Sequence, residues 1–125
     1  MNITTSYFGN IKNIKNPVAI CARAPMWFVG PRYPTLAPTY RIFIDYKTNE
    51  DAEQYTKDFE IEVLDKLNPH TILKEMLQLY GEEFTMVCYE KPYDNRGNQI
   101  FCHRYIVARW FEKYIQDLKI VELEI

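Results

Sequence analysis

The chain has 125 residues, of which 47% are hydrophobic and 15% aromatic, and a net charge of −2; that is enough for one domain with one core and too apolar for disorder. No apolar run approaches the roughly 18 residues of a membrane span, and Met1–Thr5 shows no basic segment followed by an apolar one, so no signal peptide is expected. Three cysteines, an odd number, fit free thiols in a reducing compartment better than a disulfide framework, which makes the cytoplasm the default location.

Asn2–Tyr7 alternates, with Ile3, Thr5 and Tyr7 on one side, and reads as a first strand. Phe8-Gly9-Asn10 breaks it, and Ile11–Lys15 has room for one or two helical turns. Pro17–Ala22 is short and almost wholly apolar, the pattern of a strand covered on both faces in a parallel sheet. Arg23–Pro38 holds four of the seven prolines, a density that rules out an internal helix and a central strand. Its Trp27 and Phe28 either pack over one end of the core or form a lid, since ordered loops of this length usually cover something.

Tyr40–Tyr46 suits a short helix. Asp51–Leu67 repeats Ala52, Tyr55, Phe59, Val63 and Leu67 at helical spacing. Asn68-Pro69 is a cap followed by proline at the first helical position; the helix it opens turns Ile72, Leu73, Met76, Leu77 and Tyr80 inward and ends at Gly81. Phe84–Tyr89 is the most strand-like run and the best candidate for the sheet centre. After the polar turn Asp94–Asn98, a helix from Cys102 carries Ile106, Val107, Trp110, Phe111 and Tyr114 at core spacing. Ile120–Ile125 alternates Val121, Leu123 and Ile125 with Glu122 and Glu124, as in a strand with one solvated face. Strands separated by helices predict a single small α/β domain with a mostly parallel sheet of about four strands and flanking helices.

Charge is unevenly spread. Met1–Ile44 has five basic residues and no acidic one, Asp45–Glu83 has eleven acids against four bases, and the remainder balances at six each. Either the acidic helices are simply solvated faces, or the N-terminal loops form a basic rim for an anion. In open α/β sheets ligands sit beyond the carboxyl ends of the strands. Ser6 and Tyr7 leave the first strand there, Arg23 follows the second, and Glu90 and Lys91 follow the third. Cys102, His103 and Arg104 open the next helix, whose free N–H groups and positive dipole end favour an anion and lower a thiol's pKa.

The same residues carry a resemblance. Cys88-Tyr89-Glu90-Lys91-Pro92, Phe101-Cys102-His103-Arg104 and Val107-Ala108-Arg109-Trp110 look like the C-terminal signature of domain-of-unknown-function family 488. Thr5–Asn10, Ala22-Arg23 and Leu36-Ala37-Pro38 are similar to its N-terminal half, so the resemblance covers nearly the whole chain. It implies a small α/β protein and no particular substrate. In two places the chain departs from the pattern: Tyr93–Ile100 intervenes between the two C-terminal blocks, and Tyr105 stands where members commonly have His.

Four readings of these residues compete. The leading one is an anion site, phosphate or nucleotide-like, using Ser6, Tyr7, Arg23, Lys91, Arg104 and the helix N-terminus. An enzyme would use Cys102 as nucleophile, with His103 or Glu90 as general acid or base. Against this, neighbouring helical residues point about 100° apart, and Cys88-x7-Arg96 misses the Cys-x5-Arg loop of cysteine phosphatases. A metal on Cys88, Cys102 and His103 lacks a fourth ligand and any common spacing, so no metal site is assigned. Last, the cysteines are buried apolar residues, Arg104 pairs with Glu90, and function lies on a partner surface.

The expected partner is a small anionic ligand, with no membrane. The weak net charge argues against duplex nucleic acid, although Tyr7, Trp27 and Tyr33 among basic residues could stack on single-stranded bases. The sequence specifies neither cofactor nor oligomeric state.

Overall fold

A computed structural model describes residues 1–123. Four strands, β1 (Asn2–Tyr7), β2 (Pro17–Ala19), β3 (Glu83–Cys88) and β4 (Val121–Glu122), form one sheet in the order β2-β3-β1-β4. Every pairing is parallel. The α-helices are α1 (Tyr40–Asn49), α2 (Ala52–Glu62), α3 (Pro69–Tyr80) and α4 (His103–Tyr114). The single α/β domain with a four-stranded parallel sheet is therefore as the sequence pattern requires. None of the described helices is long and apolar enough to cross a membrane.

Strand β3 lies between β2 and β1, and five of its six residues are buried. Alternate side chains of a strand face opposite ways. Phe84 and Met86 enter the main core with Ile3, Phe59, Met76 and Phe111, while Val87 joins a second cluster with Ala19, Phe8, Ile14 and Phe28. Edge strand β2 is covered: Tyr33 N donates to Ala19 O at 2.7 Å and Ala19 N to Pro31 O at 3.0 Å, closing a parallel bridge to Arg32. That pairing blunts an edge that would otherwise be a template for aggregation.

Several boundaries move. The second strand stops at Ala19 rather than Ala22, because the chain bends away at Cys21. The long helix expected over Asp51–Leu67 ends at Glu62 and continues as a 3₁₀ turn, Leu64–Lys66, that buries Leu64. The first helix runs on to Asn49, three residues past Tyr46. Helix α3 has the expected ends: the Asn68 side chain accepts from the N–H groups of His70 and Thr71, Pro69 is the first helical residue, and Gly81 closes it at φ 89°.

The last strand departs from the expected facing at Val121 and Glu122, although Leu123 packs against the second cluster. Val121 is 56% exposed, whereas Glu122 is half-buried and bonded inward. The alternation identified a strand, but a buried cation chose which side faces in. Residues 124 and 125, the end of the expected strand, lie outside the described residues.

Candidate thiol and imidazole centre

The parallel register sets Cys88, the last residue of β3, opposite Tyr7, and β2 aligns Ala19 with Val87. The carboxyl ends of three strands are thereby brought level. Cys21 follows β2 by two residues, and all three cysteines are free and buried. Cys102 is not in a helix. It is the extended N-cap of α4, at φ −154° and ψ 143°, and its side chain caps nothing. The 100° separation of successive helical side chains thus does not apply to it, and the sulfur reaches His103. One ligand atom each of Cys88, Cys102 and His103 lies within 4.8 Å of the others.

His103 is fixed from both sides. Its Nε2 donates to Ile20 O at 2.9 Å, because a carbonyl can only accept. That leaves Nδ1 turned toward Cys88 Sγ at 3.3 Å. The ring also meets Phe59 edge-on, with centroids 5.7 Å apart. Cys88 is the middle thiol, in hydrogen-bonding reach of Cys102 and Cys21; these two contacts, with burial, push its pKa well above the ordinary thiol range. The Cys88 S–H holds Cys102 well below that range, against the cost of burial, with His103 and the Arg104 charge assisting. Cys21 is also lowered, first by Cys88.

Arg104 has no exposed surface. Its Nε donates to Glu122 Oε1 at 3.0 Å, and one Nη2 hydrogen goes to Glu122 Oε2 at 2.9 Å and the other to the Tyr105 hydroxyl at 2.8 Å. Its Nη1 donates to Glu90 O at 2.7 Å. Burial opposes the charge, but the Glu122 bonds outweigh it and the guanidinium is raised above its ordinary pKa. The acid that pairs with Arg104 is therefore Glu122, and Glu90 contributes only its backbone carbonyl. Arg104 is committed within the protein, which removes it from direct contact with a ligand. Tyr105 stacks under that guanidinium at 4.5 Å.

The remaining candidates divide. Ser6 is buried and accepts from Asn10 Nδ2 at 3.1 Å. Tyr7 is half-buried, and Glu90, Lys91 and Arg23 are exposed. The Tyr89 hydroxyl donates to Arg23 O, tying the loop after β2 to the end of β3. In Arg23–Pro38, Phe28 is buried against Phe8 with centroids 5.3 Å apart, while Trp27 is exposed. This loop packs over the thiols. Two shallow surface hollows, one between His70 and Ile115 and one between Ala52 and Phe101, lie elsewhere and do not include the thiols.

The stretch after Lys91 folds on itself. Ile100 N donates to Pro92 O at 2.9 Å, Tyr93 bridges Gln99, and Asp94 Oδ1 accepts from the N–H groups of Arg96 and Asn98. Those backbone bonds hold the Asp94 carboxyl below its usual range. The loop closes at its own neck, so Phe101-Cys102 follows closely on Lys91-Pro92 in space.

Sequence reasoning missed Cys21 and Glu122 as members of this centre. Cys21 lies within the apolar run Pro17–Ala22 and reads as packing. Glu122 sits in an alternating strand whose acids normally face water.

Together these features define a small parallel α/β protein with a buried thiol–imidazole centre at the carboxyl edge of its sheet. The chain belongs to domain-of-unknown-function family 488: the family model described as "Active DUF488-N3 subclade" matches residues 18–115, from β2 to just past α4. That span includes all three thiols, His103 and Arg104, and leaves out β1 and Glu122. Neither the curated proteins nor the solved structures include a match.

Proposed function

We propose that this chain is an enzyme in which the sulfur of Cys102 attacks a small anionic, phosphate- or nucleotide-like substrate, forming a bond to sulfur as the bond to a leaving group breaks and that group departs with the electron pair. The observation that carries the reading is the bonded line from Ile20 O through Nε2 and Nδ1 of His103 to Cys88 Sγ, with Cys102 Sγ beside it. A thiol is a useful nucleophile once a neighbouring base can take its proton. Here the Cys102 proton passes to Cys88 as Cys88 passes its own to His103 Nδ1, so the imidazole becomes a double donor. Ile20 O keeps the ring in the orientation that permits this.

Anion recognition falls to the exposed Arg23 and Lys91 and to the first turn of α4. Arg104 acts from behind, as a positioning residue, through its charge beside Cys102. The test is iodoacetamide labelling at neutral pH in the presence of a chelator, followed by peptide mass spectrometry. Cys102 should be modified first and slow down in Cys88→Ala and His103→Asn. Labelling of Cys21 ahead of Cys102, or an inert Cys102, rules out the nucleophile. Anion recognition has its own test: phosphate should raise the melting temperature, and Arg23→Ala with Lys91→Ala should abolish that rise.

A further inference from the structure

We infer that Cys88, Cys102 and Nδ1 of His103, completed by Cys21, form a site for one thiophilic divalent cation of the zinc class, and that filling the site silences Cys102.

The donor set comes first. Two sulfurs and a ring nitrogen already lie within 4.8 Å of one another, and Cys88 Sγ is 3.3 Å from Nδ1. A tetrahedral zinc with ordinary bond lengths holds sulfur and nitrogen about 3.5 Å apart and two sulfurs about 3.8 Å apart. The cluster is thus close to the required spacing before any ion enters. Cys21, in reach of Cys88 but outside the trio, closes in as the third sulfur and fourth ligand to give a Cys₃His shell. The sequence spacing hid this because the ligands come from the loop after β2, the end of β3 and the N-cap of α4.

The orientation of His103 is a second, separate argument. A ligating histidine commonly donates its other N–H to a backbone carbonyl, which fixes the tautomer and aims the free nitrogen at the metal. Nε2 does this to Ile20 O, and Nδ1 is thereby left facing the sulfurs. The selectivity follows from softness. Sulfur and imidazole suit zinc or cadmium, whereas magnesium and calcium need oxygen. The nearby carboxylate of Glu122 is already engaged by Arg104 and Thr5. Binding one divalent ion to the three sulfurs as thiolates and to the neutral imidazole forms four coordinate bonds, and the protons the thiols still hold go to solvent. A sulfur whose lone pair is given to the ion cannot attack a substrate, so the filled site is an off state.

Cobalt(II) is the probe, added to metal-free full-length protein kept reduced with a phosphine. We expect one ion per chain, a thiolate-to-cobalt charge-transfer band in the near ultraviolet, and visible bands of tetrahedral intensity that zinc abolishes. Cys88→Ser should lose most of the charge-transfer band, and the milder Cys21→Ser about a third of it. Zinc should slow Cys102 alkylation more than tenfold, and a chelator should restore it. A weak octahedral cobalt spectrum from the unmutated chain overturns the inference, whatever the variants do. So does a full charge-transfer band in Cys88→Ser. The nucleophile reading fails separately, because it is tested with the metal stripped: an inert Cys102 in chelator sinks that reading while leaving the cobalt result standing.

Discussion

Replacing Glu122 by Gln removes one charge from a buried pair while keeping its shape. The remaining guanidinium of Arg104 has no exposed surface, whereas the Glu122 side chain is 20% exposed. Breaking a buried ion pair by deleting one partner costs about 3–5 kcal/mol, mostly because the other charge is left uncompensated. Glu122→Gln leaves the worse orphan, since water cannot reach Arg104, and its new amide hydrogens point at other donors. We expect a loss of about 3–4 kcal/mol. Arg104→Met leaves an acid that water partly solvates, with Glu90 O and the Tyr105 hydroxyl short of a donor, and should cost about 2–3 kcal/mol. The decisive variant is the double one. Adding Arg104→Met to Glu122→Gln removes the orphan charge, so the double variant should be more stable than Glu122→Gln alone.

Urea unfolding followed by circular dichroism measures this directly. With a slope of about 2 kcal/mol/M, a loss of 3 kcal/mol lowers the midpoint by about 1.5 M. An unchanged slope would show that the native state, not the denatured ensemble, was altered. The argument is wrong if Glu122→Gln stays within about 0.5 kcal/mol of the parent, the range of ordinary surface substitutions. It is equally wrong if the two single effects simply add, because residues sharing a network should couple.

Other consequences are simpler to check. Asn68→Ala removes the side chain that accepts from His70 N at 2.9 Å and Thr71 N at 3.2 Å; it should cost about 1 kcal/mol, and Asn68→Ser should recover most of it. Equal stability of the alanine and serine variants would refute a capping role. Burial, with Glu75 nearby, raises the Tyr33 hydroxyl above its usual pKa, and burial does the same for Tyr55. Both phenols thus hold their protons more tightly when folded. Their contribution is complete below about pH 10, the unfolded value, and is lost as pH climbs toward the higher folded values. Alkaline titration of the ten tyrosines should show late-ionising groups whose release accompanies unfolding, and Tyr55→Phe should remove one. Ionisation of all ten in a single step near pH 10, with the fold intact, would contradict this.

The sequence by itself determined the local elements. Asn2–Tyr7, the capped and glycine-terminated α3, and the apolar face of α4 are written in periodicities and end signals that act within one or two turns of chain. It also marked the neighbourhood of the site, since Cys88 and Cys102-His103-Arg104 fall where parallel strands end and a helix begins. What those residues do to one another was decided by tertiary structure. Ile20 O and His103 are 83 residues apart, and Thr5 and Glu122 117 apart. No window of sequence contains such a pair. The strand order β2-β3-β1-β4 brings Cys21 beside Cys88 and β4 beside β1. Once Arg104 was buried at that seam, the cost of an unpaired charge pulled Glu122 inward and turned Val121 out to water. Alternation can specify a strand, but which face is buried depends on what the rest of the fold has left there to be neutralised.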